Sequence, residues 1–86
     1  MYYVYVLRSQ RDGKMYIGYT ANLRNRLQEH QKVEVLSTKP RRPFELIFYE
    51  AYKSMEDAKR RERYLKTSPG KSSLRMMLRD SLEEAV

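Results

Sequence analysis

The chain has no cysteine and a single histidine, His30, among its 86 residues. Disulfides and cysteine-ligated metal centres are therefore excluded, a histidine-rich zinc site cannot be assembled, and a reducing cytoplasmic setting is the natural expectation. Long hydrophobic runs are missing too. The longest near the start, residues 2–7, falls far short of the ~20 residues that cross a bilayer, and it lacks the charged start and cleavage site of a signal peptide. Neither a membrane nor export is expected. Acidic residues are in the minority, with 11 Asp and Glu against 18 Lys and Arg and a net charge of +7. The cations concentrate around residues 39–42 and 59–66, which points to a polyanion as partner, nucleic acid before an acidic membrane surface. The length admits one small domain, residues 1–86, and leaves no room for a separate cofactor domain, so no organic cofactor is expected. Internal repeats, low-complexity segments and interdomain linkers are absent.

What is present begins with Tyr2-Tyr3-Val4-Tyr5-Val6-Leu7, aromatic and β-branched without polar alternation, as expected of a central strand covered on both faces. The turn-rich Ser9-Gln10-Arg11-Asp12-Gly13 leads into a second strand, residues 14–19, predicting an antiparallel hairpin. By period-two alternation Tyr3, Tyr5 and Leu7 share one face, and Tyr16 and Gly18 share one face of the second strand. Gly18, lacking a Cβ, would let a ligand or the following helix approach closely. Residues 44–52 form a third strand. Ser54 with Asp57 three residues on is a helix-start signature, Thr67-Ser68-Pro69-Gly70 breaks that helix, and a last amphipathic helix over 71–84 presents Leu74, Met77, Leu78 and Leu82 to a core. The expected class is α+β, a small three-stranded, mainly antiparallel sheet flanked by about three helices in the order β-β-α-β-α-α.

Two helices carry anomalies. With about 100° per residue and Leu23 at zero, Leu27 falls near +40°, Arg26 near −60° and His30 near −20°. The leucines that face a core thus share their side with an arginine and a histidine, while Glu29 and the other polar residues fall on the solvated arc. Taken alone, Arg26 would be a snorkelling side chain and His30 a hydrogen-bonded residue at a core edge. In the helix after Ser54, with Met55 at zero, Ala58 lies near −60°, Leu65 near −80° and Glu62 near −20°. Glu62 is an inward acid among Lys59, Arg60, Arg61, Arg63 and Lys66, and such a carboxylate needs a metal or a partner, with Arg26 or a neighbouring lysine as salt-bridge candidates.

Two tyrosines, an arginine, a histidine and a glutamate on inward faces of a basic domain suit phosphodiester hydrolysis. A phenol relieved of its proton can deprotonate water, an arginine neutralises growing phosphate charge, and one carboxylate holds a hard divalent cation, Mg²⁺ or Mn²⁺ before zinc. The proline-punctuated segment with Lys39, Arg41 and Arg42, and the helix cations Lys59, Arg63 and Lys66, are the candidate nucleic-acid contacts. The scheme requires all five groups in one pocket; Glu62 in bulk solvent, or across the sheet from Arg26 and Tyr16, would end it in this form.

The segments Tyr3-Val4-Tyr5, Tyr16-Ile17-Gly18-Tyr19-Thr20, Asn22-Leu23 with Arg26-Leu27 and His30, and Ala58-Lys59-Arg60-Arg61-Glu62 resemble the GIY-YIG nuclease superfamily, in particular its small stand-alone bacterial members, excinuclease-like and of UPF0213 type. The resemblance implies a metal-dependent endonuclease acting on DNA, branched or single-stranded forms included, in repair or recombination. It assigns Tyr5, or a water that it activates, to the attack, His30 to relaying the proton, Arg26 and Tyr16 to the phosphate, and Glu62 to the metal. Tyr3 stands where the motif's name has glycine. Some larger members place an asparagine after the glutamate helix; residues 67–73 offer none, so that late polar group is either missing or replaced by Lys66 or Ser68. The competing expectation is a nucleic-acid binding module with little or no turnover, acting as a subunit of a repair complex whose protein partner supplies recognition.

Overall fold

The computed structural model describes residues 1–32 and 42–83. In chain order these form β1 (Tyr2–Ser9), β2 (Met15–Thr20), α1 (Leu23–Gln31), β3 (Phe44–Tyr52), α2 (Met55–Leu65), α3 (Ser68–Met77) and α4 (Arg79–Glu83). The sheet is antiparallel throughout, in the order β2-β1-β3. β1 is the centre strand because both of its faces are apolar: Val4, Tyr5, Val6 and Leu7 are all buried. The hairpin closes over Asp12-Gly13, with the Ser9 N–H donating to the Lys14 carbonyl at 2.9 Å and Ser9 Oγ accepting from the Arg11 and Asp12 amides.

The alternation along β1 divides the interior into two layers. Val4 and Val6 face Ala58, Leu65, Leu74 and Leu78 from the C-terminal helices. Tyr5 and Leu7 face the other way, where Phe44, Leu46, Tyr16 and the α1 leucines Leu23 and Leu27 complete a smaller cluster. Register places Tyr5 opposite Gly18 and Leu7 opposite Tyr16, so the expected common face for the two phenols exists. On the β3 side an irregularity between Val6 and Leu7 puts Ile47 and Phe48 together on the α2 layer.

The chain after α2 differs from expectation in its boundaries. Thr67-Ser68-Pro69-Gly70 does end α2, but it also starts α3: Thr67 Oγ1 accepts from the Gly70 amide at 3.1 Å, and Pro69 occupies the first turn, where no N–H is needed. Gly70 is required there by crowding, because a Cβ on it would lie 2.0 Å from the Tyr64 carbonyl oxygen and 2.6 Å from Leu65 Cα. The expected single helix over 71–84 is divided at Leu78, giving four helices among the described residues. Leu74 and Leu78 are buried and Leu82 is half-buried, whereas Met77, expected in the core, is exposed. Met55, used above as the reference of the α2 stripe, is exposed as well; the buried side of α2 is set by Ala58 and Leu65, and Glu62 lies between them.

Candidate active site

Tyr5 is the hub of the site. Its ring end covers Gly18 in the neighbouring strand, so closely that a Cβ at position 18 would sit 2.3 Å from both Cζ and Oη. The glycine thus makes room for the phenol itself, and not for a ligand or the helix. From this bed Tyr5 Oη meets two groups of α1: His30 Nε2 at 2.9 Å and Arg26 Nε at 3.3 Å. α1 can deliver both because Arg26 and His30 are four residues apart, on one side of a helix that starts when Asn22 Oδ1 caps the Asn25 amide. The far end of α1 is tied to β3, with Gln31 Nε2 donating to the Phe44 carbonyl at 2.8 Å and Arg42 donating to the Gln31 carbonyl at 2.7 Å.

Electrostatics assigns protons within this triad. Burial pushes the Tyr5 phenol above its ordinary 10.0, against the opposing pull of the Arg26 hydrogen bond and charge; Glu62 raises it further and Lys66 lowers it. Burial also pushes His30 below its ordinary 6.5, and the Arg26 charge pushes it the same way while Glu29 opposes. At neutral pH the phenol therefore keeps its proton and the imidazole is neutral. In the tautomer that carries its proton on Nδ1, the neutral ring accepts the phenol proton at Nε2 while Tyr5 Oη accepts from Arg26. This is a phenol with a base on one side and a cation on the other, the arrangement needed to form and stabilise a phenolate.

Tyr16 shares the face of Tyr5 and Gly18, and its ring stands edge-on to Phe44 at 5.3 Å. Phe44 in turn meets the His30 ring at 6.0 Å, so the aromatic wedge holds both Tyr16 and His30. Two residues of the site were missed in the sequence. Phe44 read only as strand, and Glu29, placed on the solvated arc, pairs with Arg26 at 3.6 Å. The spacing of three residues from Arg26 was the signal available for Glu29.

Glu62 corrects the expectation of one shared inward face. α2 packs on the Val4/Val6 layer, across the sheet from α1, so Glu62 approaches from the other side of β2. The five-residue pocket set as a condition above therefore does not form; what remains for a nuclease reading is the Tyr5–Arg26–His30 cluster, whose contacts do not involve Glu62. It does not point into bulk solvent: its side chain is 20 % exposed, and Oε2 is bonded to Lys66 Nζ at 2.8 Å, one of the partners the sequence offered. β2 is an edge strand with no side chain at Gly18, and the Glu62 charge acts on the Tyr5 phenol. Four of the five residues are therefore gathered on one face, and the fifth reaches the phenol electrostatically from the opposite layer. Among the described residues no three His, Cys, Asp or Glu side chains cluster as a metal cage. A hard divalent cation held by one carboxylate, with water and phosphate oxygens completing its shell, needs no such cage, and the hard oxygen donors of Glu62 fit that role.

Of the expected nucleic-acid contacts, Lys39 and Arg41 lie outside the described residues. Arg42 is engaged with the end of α1. Lys59, Arg63 and Lys66 follow one another along the side of α2 that carries Glu62, with Lys59 Nζ 5.6 Å from the centre of the Tyr19 ring on β2. No described helix is long and apolar enough to cross a membrane.

Comparison with known proteins agrees with this architecture. The GIY-YIG catalytic domain profile matches residues 1–74. A UPF0213 protein of Pediococcus pentosaceus is 35 % identical over 82 residues, covering 94 % of this chain and 85 % of that protein. One from Staphylococcus haemolyticus is also 35 % identical, over 77 residues covering 88 % of this chain and 93 % of the relative. The solution NMR structure of a UPF0213 protein from Bacillus halodurans superposes with a TM-score of 0.57 at 33 % identity, covering 90 % of this chain and 85 % of that one. With its two tyrosine strands, its arginine–histidine helix and these relatives, the chain belongs to the GIY-YIG catalytic-domain family, a nuclease family, alongside the UPF0213 proteins.

Proposed function

We propose that this chain is a divalent-metal-dependent endonuclease that hydrolyses DNA phosphodiester bonds, with a preference for branched or single-stranded structures of the kind met in repair and recombination, working in the cytoplasm. The observation that carries the reading is the Tyr5 phenol held between His30 Nε2 and Arg26 Nε. The chemistry follows from those contacts. The Tyr5 proton passes to His30 Nε2, and the phenolate, stabilised by Arg26, takes a proton from water as the water oxygen bonds to phosphorus. The bond from phosphorus to the leaving oxygen breaks, that oxygen is protonated from solvent, and His30 returns its extra proton to solvent. Arg26, with its side chain 38 % exposed, has room to contact the phosphate, and Tyr16 borders the same face. Glu62 would hold Mg²⁺ or Mn²⁺, which supplies charge neutralisation at the leaving oxygen. Catalysis of this type rests on pre-positioned charge and a matched base, and it needs no organic cofactor.

A second reading, a binding module of low turnover, is favoured by one specific contact. Lys66 already occupies Glu62 Oε2 and competes with a cation for that oxygen. The two are separated by incubating supercoiled plasmid and branched DNA with the protein, with and without Mg²⁺, beside Tyr5→Phe, Glu62→Gln and Lys66→Met. The nuclease reading expects metal-dependent nicking that the first two abolish and the third preserves or increases. Undiminished binding with no cutting by any form would refute it in favour of the binding module.

A further inference from the structure

The layer opposite Tyr16 contains a groove of about 440 Å³ between the β1–β2 hairpin and the C-terminal helices. Met15 and Ile17 of β2 form its apolar floor, and Arg8, Lys14, Lys71 and Arg75 surround it; no carboxylate is among its lining residues. Arg8 is anchored, donating from Nε to the Gly13 carbonyl at 3.3 Å and from its Nη1 to the Leu82 carbonyl at 2.7 Å. Lys14, Lys71 and Arg75 are exposed, and none makes an ion pair among the described residues. The nearby Asp12 accepts the Lys14 backbone N–H at 2.9 Å. Three side-chain cations converging with an anchored arginine repel one another, and an arriving polyanion converts that repulsion into attraction.

β2 links this groove to the candidate active site. Gly18 lies beneath the Tyr5 ring, and Met15, three residues back, lies in the groove floor. At a strand rise of about 3.4 Å per residue the two are about 10 Å apart along the edge. A nucleic-acid strand rises about 3.4 Å per nucleotide in duplex form, so a few nucleotides cover that distance. Lys59 of α2 borders the same edge strand, over the Tyr19 ring.

We propose that the groove formed by Arg8, Lys14, Lys71 and Arg75 is a second phosphate-binding site, which grips the backbone of the nucleic acid a few nucleotides from the bond placed at Tyr5. Its register relative to the scissile bond rests on the nuclease reading; its affinity for phosphate does not. The backbone, and not the bases, is the ligand, because the polar groups are cations suited to phosphate oxygens.

The test measures binding of a fluorescent oligonucleotide duplex in EDTA, where no cleavage competes, across a salt series. Lys14→Gln/Lys71→Gln/Arg75→Gln is compared with Lys32→Gln/Lys53→Gln/Arg60→Gln, which removes the same charge elsewhere. Every phosphate that a cation ceases to neutralise lowers the slope of log affinity against log salt by about 0.9, so the groove variant should drop by about two to three units of slope and the control by less than one. Because the substitutions are on exposed side chains, both variants should keep the wild-type melting curve; Lys71→Gln alone, with a drop of about one unit, serves if the triple variant is unfolded. An unchanged slope, an equal drop in the control, or loss of binding to phosphatidylserine vesicles with DNA binding intact would each overturn the groove. A wild-type protein that never cuts, yet shows the groove-specific drop in slope, would strike the nuclease reading and leave this one standing.

Discussion

Gly18→Ala tests the packing on which the candidate site depends. The new Cβ would lie 2.3 Å from Tyr5 Cζ and Oη and 2.9 Å from Cε1. Ordinary carbon contacts begin near 3.5 Å, so the end of the ring must retreat by about 1 Å. It is not free to do so, since Oη is held at 2.9 Å by His30 and at 3.3 Å by Arg26, and Tyr5 is 2 % exposed. Overpacking of this kind costs about 1–3 kcal/mol, and the strained phenol–imidazole bond adds about 1 kcal/mol. At about 4–8 °C per kcal/mol for a domain of this size, melting should fall by roughly 8–32 °C. Displacing a reacting group by about 1 Å should cost about 10²-fold in nicking rate below the new melting point.

The sign of the effect should depend on Tyr5. In a Tyr5→Ala background the clash vanishes, and alanine then outperforms glycine in a strand by about 0.5–1 kcal/mol. Gly18→Ala should therefore destabilise the wild type and stabilise the Tyr5→Ala protein, as read by urea or thermal unfolding of all four proteins. The same penalty in both backgrounds, or wild-type melting and activity in the single variant, would refute the placement of the ring on Gly18.

Gly70→Ala should be severely destabilising, by about 3 kcal/mol or more in urea unfolding, because its Cβ meets the backbone of Tyr64 and Leu65, which cannot rotate away. Glu62→Gln should change unfolding free energy by less than about 0.5 kcal/mol, since its partner Lys66 is 52 % exposed and the pair is four residues apart on a helix; a loss above about 1 kcal/mol would make the pair structural. Because burial lowers the His30 pKa, the unfolded chain binds its proton more tightly than the folded one. Stability should fall on acidification from about pH 6.5 down to the lowered folded pKa, and His30→Gln should flatten that part of a melting-temperature profile. Nicking, which needs the neutral imidazole, should fade with an acid limb below the ordinary histidine range of about 6.5.

The strands were legible because their patterns are local. Residues 2–7 have apolar side chains on both faces, which only the middle of a sheet can use, and Phe44–Tyr52 is an aliphatic and aromatic run, interrupted only by Glu45 and Glu50, that stops just before the Ser54 helix cap. The convergence of Arg26 and His30 was legible for a similar reason, since one helical turn sets it. The start of α3 was not. Pro69-Gly70 reads as a breaker by composition, and only the approach of Gly70 to the Tyr64 carbonyl explains a glycine inside the helix. The layer of α2 was equally hidden. Helical period shows that Ala58, Glu62 and Leu65 face inward, but a sheet with two covered faces has two interiors, and period does not choose between them.

The opposite placement of Glu62 makes physical sense for a site that must admit a polymer. Val4, Tyr5, Val6 and Leu7 of the centre strand are sealed on both faces, so an approach to Tyr5 runs over a flanking strand, and β2 is the one that meets the phenol through Gly18. At Gly18 that strand offers backbone alone, and the phenol laid over it is open to charges from both layers: Arg26 from α1, Glu62 and Lys66 from α2. The phenol proton is pulled in opposite senses, with Arg26 and Lys66 favouring its release and burial and Glu62 favouring its retention, so the α2 layer contributes to both. Neutralising Glu62 therefore has an effect on Tyr5 that no same-face contact supplies. Glu62→Gln should lower the Tyr5 pKa, read by spectrophotometric titration as the difference from a Tyr5→Phe reference. A Tyr5 pKa that does not respond would mean the carboxylate is electrically remote from the phenol, and a one-carboxylate metal site serving that phenol would lose its basis.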